Sequence, residues 1–367
     1  MLDVAAFLYG PAWHHIDHLA PLAQALGISL IVTDEEIEEG IQRFYPAVDL
    51  KRLDRFEAAT YVTEEYSSII SCLPKVEIDQ LFFFAQHKMR KPIVPVWCPH
   101  GQSDKGAISG FLKLLKQERA LLLYGRRMLD QVSQEVIKEV RGVAFLGHYR
   151  LRDYDKYKSF YDEKTLARLK GLKPSLRTFF YAPTWNDSEE SSSFFAAYHE
   201  LIDHLPKDTN LIIKPHPNLV WQNPSFFEKI REELDGHPHI LLLEDFPLIM
   251  PLLAKCDVYI GDSSSIGYDF LAFDKPMVFL NQNERDPKLD QGLYLYKCGI
   301  QVLPHEYSKI YEKIENLLPY DKELFSEIRR EVYHYAFGEE VSENTLKSSI
   351  ATLLENTAYN DLEKDFF

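Results

Sequence analysis

The sequence predicts an α/β protein with two doubly wound parallel-sheet domains. Short apolar runs alternate with stretches of helical spacing, and many of the runs end in polar turns. At 367 residues the chain is long for one hydrophobic core and suits two domains. An apolar content of 46% and an aromatic content of 13% indicate a globular protein.

The first half begins with a β-α-β pattern, in which a helix over His18–Leu26 separates the first two strands. We assign residues 1–150 to an N-terminal Rossmann-like domain, in which ligands are expected beyond the carboxyl ends of the strands. The predicted strands are Val4–Tyr9, Ile28–Thr33, Ser67–Leu73, Ile93–Cys98, Ala120–Tyr124 and Val143–Gly147.

A charged, tyrosine-rich segment without a strand pattern, 151–175, is predicted to be a linker. A second Rossmann-like domain follows over 176–335, and helices over 336–367 are expected to pack back toward the N-terminal domain. Two such domains imply a cleft between them. The second set of strands is Thr178–Ala182, Asn210–Lys214, His239–Leu243, Val258–Ile260, Met277–Leu280 and Gln301–Leu303.

Charge and cysteine usage narrow the class of protein. The net charge of −15 and the absence of a Lys/Arg block argue against nucleic-acid binding and against tight docking on an anionic membrane, although contact through a local patch stays open. The 4 cysteines are widely spaced, which predicts buried free thiols in the reducing cytoplasm. The N-terminus resembles a strand rather than a signal peptide, and no apolar run is long enough to span a bilayer.

The most informative stretch, Cys256–Asn281, predicts a strand, a polar turn, a helix and a second strand. Backbone N–H groups and hydroxyls at a helix N-terminus bind anions, and phosphate is the usual occupant. A plainly capped helix is the alternative. Asp269, one turn into the helix, is a candidate ligand of a ribose diol. The candidate phosphate-binding residues of the turn are Asp262, Ser263, Ser264 and Ser265.

Three other polar clusters follow predicted strands. His100 is a candidate acid or base, with Gly101 allowing a sharp turn and Lys105 available to a phosphate. Thr184 offers a hydroxyl donor. Lys214 and His216 form a compact cationic pair, in which two prolines restrict the backbone around the histidine. Ordinary turns remain the alternative for each cluster.

Three histidines, His14, His15 and His18, lie after the first strand. His14 and His18 have the i, i+4 spacing of helical metal ligands, but no glutamate lies between them and no second ligand cluster is obvious. We therefore expect no metal there. An acceptor-binding loop and an ordinary loop are both open.

Together the clusters resemble the CDP-glycerol glycerophosphotransferase family, the teichoic-acid polymerases and primases, whose fold is the two-domain GT-B architecture. The matching motifs occur in the family's order over about half of the chain, whereas segments 102–105 and 337–344 depart from the family pattern. The matches are WCPHG at 97–101, YAPTW at 181–185, KPHP at 214–217 and CDVYIGDSSSIGYDFLAFDKPMVF at 256–279.

The resemblance implies a role for each motif. His100 would deprotonate or orient an acceptor hydroxyl, and His216 with Lys214 would hold the donor pyrophosphate. Ser264 and Ser265 would bind phosphate oxygens, and Asp269 the ribose. No cofactor and no structural metal are implied. The acceptor-side candidates are His14, His15, His18, Gly101, Lys105 and Arg150.

The implied activity is transfer of a polyol phosphate from a CDP-polyol, such as CDP-glycerol, to a polyol, glycan or lipid-linked acceptor. The implied setting is cell-envelope or capsule polymer synthesis, in the cytoplasm or at the inner face of the membrane. Three alternatives stay open: a glycosyltransferase that uses a nucleotide sugar, a nucleotide-sugar 2-epimerase, and a non-catalytic GT-B binding subunit.

Overall fold

The computed structural model describes residues 2–105, 111–186 and 190–359, which form two compact units. The first unit contains the described residues of Met1–Gly101, Gly110–Lys156 and Ala336–Phe367. The second contains those of Gln102–Ser109 and Tyr157–Tyr335. A short segment that begins at Gln102 thus belongs to the second unit although the chain around it belongs to the first.

Within the described residues, the first unit contains a seven-stranded sheet in the order β3-β2-β1-β4-β5-β6-β7, and all neighbouring pairs are parallel. The order reverses between β1 and β4, so the carboxyl ends of these strands form a topological switch point. The strands are β1 (Val4–Leu8), β2 (Leu30–Val32), β3 (Leu50–Arg52), β4 (Ser68–Ser71), β5 (Val94–Trp97), β6 (Ala120–Leu123) and β7 (Gly142–Phe145).

The described part of the second unit contains a six-stranded parallel sheet in the order β10-β9-β8-β11-β12-β13. Its switch point lies between β8 and β11. Both are buried on two faces, as parallel strands covered by helices require. The strands are β8 (Arg177–Ala182), β9 (Thr209–Ile213), β10 (Ile240–Leu242), β11 (Val258–Gly261), β12 (Met277–Leu280) and β13 (Ile300–Val302).

Helices connect the strands and cover both sheets. They are α1 (Trp13–Leu26), α2 (Glu35–Phe44), α3 (Arg55–Glu65), α4 (Asp79–His87), α5 (Arg126–Gln131), α6 (Gln134–Glu139), α7 (Tyr149–Lys156), α8 (Lys158–Arg168), α9 (Phe194–Asp203), α10 (Pro217–Gln222), α11 (Pro224–Leu234), α12 (Ile249–Ala254), α13 (Ile266–Phe270), α14 (Ile310–Leu317), α15 (Asp321–Phe337) and α16 (Glu343–Thr357). Short 3₁₀ segments lie at Lys75–Ile78, Phe111–Gln117, Leu271–Phe273, Gln291–Cys298 and Pro304–Lys309.

The predicted α/β class is confirmed, and the strand bounds differ from those expected by one or two residues at most ends. The third strand, Leu50–Arg52, was missed. It is an edge strand of three residues whose side chains are half-buried or exposed, so it has no apolar run to reveal it. The four cysteines are free and buried, as predicted.

The chain passes between the two units within the predicted linker and again near the C-terminus. Most of the predicted linker is helical. Its first helix, α7, ends the central portion of the first unit, and α8 begins the main portion of the second. Near the C-terminus, the Phe337 ring stacks on His148 at 4.0 Å, and α16 packs against β7 and α1 of the first unit. Residues 360–367 of the predicted terminal helices lie outside the described part.

Among the described helices, none combines the length and the apolar character that crossing a bilayer requires.

Candidate donor-binding site

Three of the predicted motifs lie at one edge of the second sheet. They follow β9, β8 and β11, which are adjacent strands, so Lys214, Thr184 and the turn that begins at Asp262 emerge at neighbouring carboxyl ends. This edge includes the switch point between β8 and β11, where open α/β sheets bind ligands. The sheet topology therefore brings these motifs close together, although they are far apart in sequence.

Asp262 is a buried residue that holds the polar turns at this end of the sheet in place. Its carboxylate accepts hydrogen bonds from the Thr184 N–H at 2.8 Å, the Ser193 N–H at 2.9 Å and the Ser193 hydroxyl at 2.8 Å. Burial raises the pKa of Asp262, while the Ser193 and Thr184 donors and the Lys105 cation oppose that shift. This fully buried carboxylate directly follows β11 and accepts from the Thr184 N–H beyond β8, so it fixes the ends of the two strands.

Lys105 occupies a different place from the one predicted. We expected it on the acceptor side in the N-terminal domain, but it belongs to the second unit, and its Nζ donates to the Thr184 hydroxyl at 2.7 Å. Asp104 explains this placement. Its carboxylate accepts from the Tyr268 hydroxyl at 2.6 Å and from the Leu295 N–H at 2.9 Å.

Asp104 and Ser193 were therefore missed as positioning residues. The partners of Asp104 are 164 and 191 residues away, and the carboxylate that Ser193 binds is 69 residues away. No local pattern in the sequence signals contacts of such separation.

His216 is held in one orientation at the start of α10. Its Nδ1 accepts from the Asn218 N–H at 3.1 Å, and Pro217 occupies the first helical position. An acceptor role at Nδ1 places the proton of the neutral ring on Nε2. Lys214 is buried, with its Nζ 3.4 Å from the Glu244 carbonyl oxygen. The pair thus offers an N–H donor and a cation beyond β9.

The serine turn and Asp269 are more enclosed than a surface loop. Ser263 and Ser264 are each 8% exposed, and Ser265 is half-buried. Asp269 is 3% exposed inside α13. α13 has only five residues, so its helix dipole is small. An anion at this position would be bound mainly by the backbone N–H groups and the hydroxyls of the serine turn.

In the first unit the predicted acceptor-side histidines form a cluster. His14 and His15 lie in the first turn of α1, after β1, while His100 follows β5. The His15 and His100 ring centroids are 4.9 Å apart, and those of His14 and His15 are 4.3 Å apart. Gly101 has a φ of 134°, which favours glycine and lets the chain turn directly after His100.

Two other acceptor-side candidates are buried within the first unit. Arg150 forms an ion pair with Asp17, and its Nε donates to the Asp17 carbonyl at 2.9 Å, so it ties α7 to α1. His18 is also buried, and its Nδ1 lies 2.8 Å from the Tyr124 hydroxyl. Burial and the nearby Arg150 charge hold the pKa of His18 well below its ordinary value.

Comparison with known proteins agrees with the motifs at the edge of the second sheet. Residues 152–327 match the family model of the CDP-glycerol:poly(glycerophosphate) glycerophosphotransferases. Over this segment, just under half of the chain, the sequence is similar to that family. The family resemblance predicted from the motifs is thus confirmed, and the match contains Thr184, Lys214, His216 and the serine turn. No curated protein sequence matches the chain.

Solved structures similar to this chain share its GT-B fold. A variant of the wall teichoic acid polymerase TagF soaked with CDPG has 12% identity and a TM-score of 0.65, covering 97% of this chain and 88% of that chain. A putative UDP-N-acetylglucosamine 2-epimerase from Listeria monocytogenes has 14% identity and a TM-score of 0.60, covering 96% of each chain. The S. aureus MnaA–UDP structure has 15% identity and a TM-score of 0.61, covering 97% of this chain and 98% of that chain.

Proposed function

We propose that the protein transfers a polyol phosphate from a CDP-polyol, with CDP-glycerol as the leading donor, to a hydroxyl acceptor in the synthesis of a teichoic-acid-like envelope polymer. The observation that carries this proposal is the convergence of Thr184, Lys214 and the serine turn at one switch point, inside the segment that matches the glycerophosphotransferase family model.

The reaction is a displacement at phosphorus. The acceptor oxygen forms a bond to the β-phosphorus of CDP-glycerol, the bond from that phosphorus to the bridging oxygen breaks, and CMP leaves with the bridging oxygen. The acceptor proton passes to a base. Negative charge therefore grows on CMP, and groups that bind this charge more strongly in the transition state lower the barrier.

The second unit supplies suitable groups for the donor. The Nε2–H of His216 donates to a phosphate oxygen, and the Lys214 and Lys105 cations offset the phosphate charge. Hydroxyls and N–H groups of Ser264 and Ser265 provide further donors. Asp269 remains the proposed ribose ligand, and Asp262 supports the site through Thr184 and Ser193.

In the first unit, His100 is the proposed group that orients the acceptor hydroxyl or takes its proton. Its Nδ1 atom is buried and has no hydrogen-bond partner among the described residues. An imidazole nitrogen with a lone pair is suited to either task. The acceptor is a polyol, glycan or lipid-linked hydroxyl compound.

The four free, buried cysteines suit a reducing compartment. We accordingly propose action in the cytoplasm, with peripheral contact at the inner face of the membrane when the acceptor is lipid-linked.

A thermal-shift screen tests the donor class with the full-length chain. We expect CDP-glycerol and CMP to raise the melting temperature, because ligands that bind only the folded state stabilise it. UDP and UDP-sugars are the comparison ligands. Stabilisation by UDP but not by CMP would overturn the proposal in favour of a nucleotide-sugar enzyme.

Turnover of CDP-glycerol to CMP then tests the role of His216. We expect His216→Ala to lower kcat by about 100-fold, the usual effect of removing one donor to a developing negative charge. The matched control is His204→Ala, which removes an exposed histidine of the same unit that contacts Glu200. Equal turnover in the wild type and the His216 variant would show that this histidine is not catalytic.

A further inference from the structure

The histidine cluster of the first unit has the composition of a metal site. Within the described part of the chain, one potential ligand atom from each of His14, His15 and His100 lies within 4.8 Å of the other two. His14 and His15 come from the first turn of α1, which follows β1, and His100 comes from the loop after β5. These two strands lie on either side of β4, at the switch point of the first sheet. The sequence alone did not reveal this grouping because 85 or more residues separate His100 from the pair.

The hydrogen bonds of His100 match those of a metal ligand. Its ring bonds to the backbone oxygen of Cys72, while Nδ1 is buried and has no hydrogen-bond partner among the described residues. The proton of the neutral ring therefore lies on Nε2, which leaves the Nδ1 lone pair available to a ligand. A histidine that binds a metal ion almost always donates its other N–H to a carbonyl or carboxylate in this way.

His18 is not part of this group of three histidines. Its Nδ1 lies 2.8 Å from the Tyr124 hydroxyl, which occupies that nitrogen.

We propose that His14, His15 and His100 bind one divalent transition-metal ion of the Zn²⁺ class and leave a fourth position open to an oxygen ligand. Three histidines with one open position form the arrangement of catalytic rather than structural zinc sites. The cluster contains only imidazole ligands, which suit Zn²⁺, Co²⁺ or Ni²⁺ and not the oxygen-seeking Mg²⁺ or Ca²⁺.

The cluster is wider than a filled zinc site. Nitrogens bound to a tetrahedral zinc ion at about 2.0–2.1 Å are roughly 3.4 Å apart, whereas the separations here extend up to 4.8 Å. Metal binding therefore requires the three side chains to rotate toward one another. The N-terminus of α1 disfavours a nearby cation, but this effect is weak beside the coordination of a metal ion by imidazole nitrogens.

This inference departs from the expectation that no metal binds here, which rested on the lack of a second ligand cluster near His14 and His18 in sequence and on the family resemblance. Metal binding itself is independent of the proposed function. One consequence rests on that function: an ion at this position would take over from the His100 imidazole the task of orienting the acceptor hydroxyl and would lower the pKa of that hydroxyl, because a coordinated Nδ1 has no lone pair left to accept its proton.

The test uses the metal-free, untagged full-length chain without nucleotide, titrated with Co²⁺. We expect one ion per chain, visible absorption of four-coordinate Co²⁺, displacement by Zn²⁺, and no displacement by Mg²⁺. Each of His14→Ala, His15→Ala and His100→Ala should weaken binding by about 100-fold or more, since even residues that only support a ligand contribute about 10–100-fold.

The matched control is His87→Ala, because His87 is an exposed histidine of the same unit and the chain has 13 histidines that could bind metal adventitiously. It should bind Co²⁺ as the wild type does. Absence of saturable binding, or binding that survives all three cluster substitutions, overturns the proposal.

If a variant fails to fold, X-ray absorption spectroscopy of the zinc-loaded wild type identifies the ligands of the ion instead. Three imidazole nitrogens around the ion support the site, and fewer than three overturn it. A chain that binds no metal but converts CDP-glycerol to CMP would reject the metal site alone, whereas metal binding without donor turnover would reject the proposed function alone.

Discussion

The Nζ atom of Lys105 donates a hydrogen bond to the Thr184 hydroxyl at 2.7 Å, across 79 residues of sequence. This contact brings a cation to the carboxyl end of β8, beside the buried Asp262 carboxylate. It also joins two motifs that the sequence suggested would serve opposite substrates.

Replacement of Lys105 tests the contribution of this cation to donor binding. We expect Lys105→Ala to reduce kcat/KM for CDP-glycerol by about 10–100-fold, the effect of losing a hydrogen bond from a charged group, about 1.5–3 kcal/mol. Lys105→Arg should retain most of the activity because it keeps the charge. Lys207→Ala, at an exposed lysine of the same unit, is the control and should match the wild type.

A double-mutant cycle with Thr184→Val separates the contact from the charge. A coupling of about 0.5 kcal/mol or more between the two sites is expected for residues in direct contact. Strictly additive losses would mean that Lys105 acts on the donor without help from Thr184.

Asp262→Asn should destabilise the second unit by about 1–3 kcal/mol. The asparagine amide replaces one acceptor oxygen with a donor, which then faces the N–H of Thr184 or the N–H and hydroxyl of Ser193. Urea denaturation measures the change, and Asp203→Asn at an exposed position provides the control. A variant as stable as the control would contradict the positioning role.

Arg329 is a buried residue whose replacement tests how much an ion-pair network stabilises the second unit. It donates to both carboxylate oxygens of Asp321, at 3.0 and 2.7 Å, and to Asp274 at 2.7 Å. Arg329→Met leaves the buried Asp321 carboxylate without its partner, so we expect a loss of about 3–5 kcal/mol in the free energy of unfolding. The neighbouring exposed residue offers a matched control, Arg330→Met, which should change the urea midpoint little.

Glu118 should make the stability of the first unit dependent on pH. Burial raises the pKa of Glu118 from 4.5 to about 7, against the opposing effect of the Lys75 N–H. The folded state therefore holds the proton more tightly than the unfolded state. The stabilisation from the protonated Glu118 carboxyl is complete below about pH 4.5 and is lost as the pH rises through 7. The free energy of unfolding should therefore fall by about 3 kcal/mol over this range.

Urea denaturation between pH 4.5 and 8 measures this dependence. Glu118→Gln remains neutral and retains an acceptor for Lys75, so its stability should not show the decline. Glu135→Gln, at an exposed position of the same unit, should follow the wild type. Parallel profiles for the wild type and Glu118→Gln would rule out titration of this carboxyl group.

Much of the fold could be predicted because parallel strands buried on both faces appear as continuous apolar runs. Val258–Gly261 and Met277–Leu280 are such strands, and the polar turn begins where the first of them ends and α13 follows it. The edge strand Leu50–Arg52 was missed because only burial on two faces produces that pattern. The donor motifs could be placed for the same reason, since each follows a buried strand directly.

The sequence by itself determined the two-sheet α/β class, the family resemblance, and the polar residues that end β8, β9 and β11. These are local properties, set by hydropathy and turn chemistry over a few residues. Only the tertiary structure decided which unit holds Lys105, that Arg150 pairs with Asp17, and that His14, His15 and His100 form one cluster. Each depends on contacts between distant parts of the chain, which the order of strands in a sheet creates and local sequence does not encode.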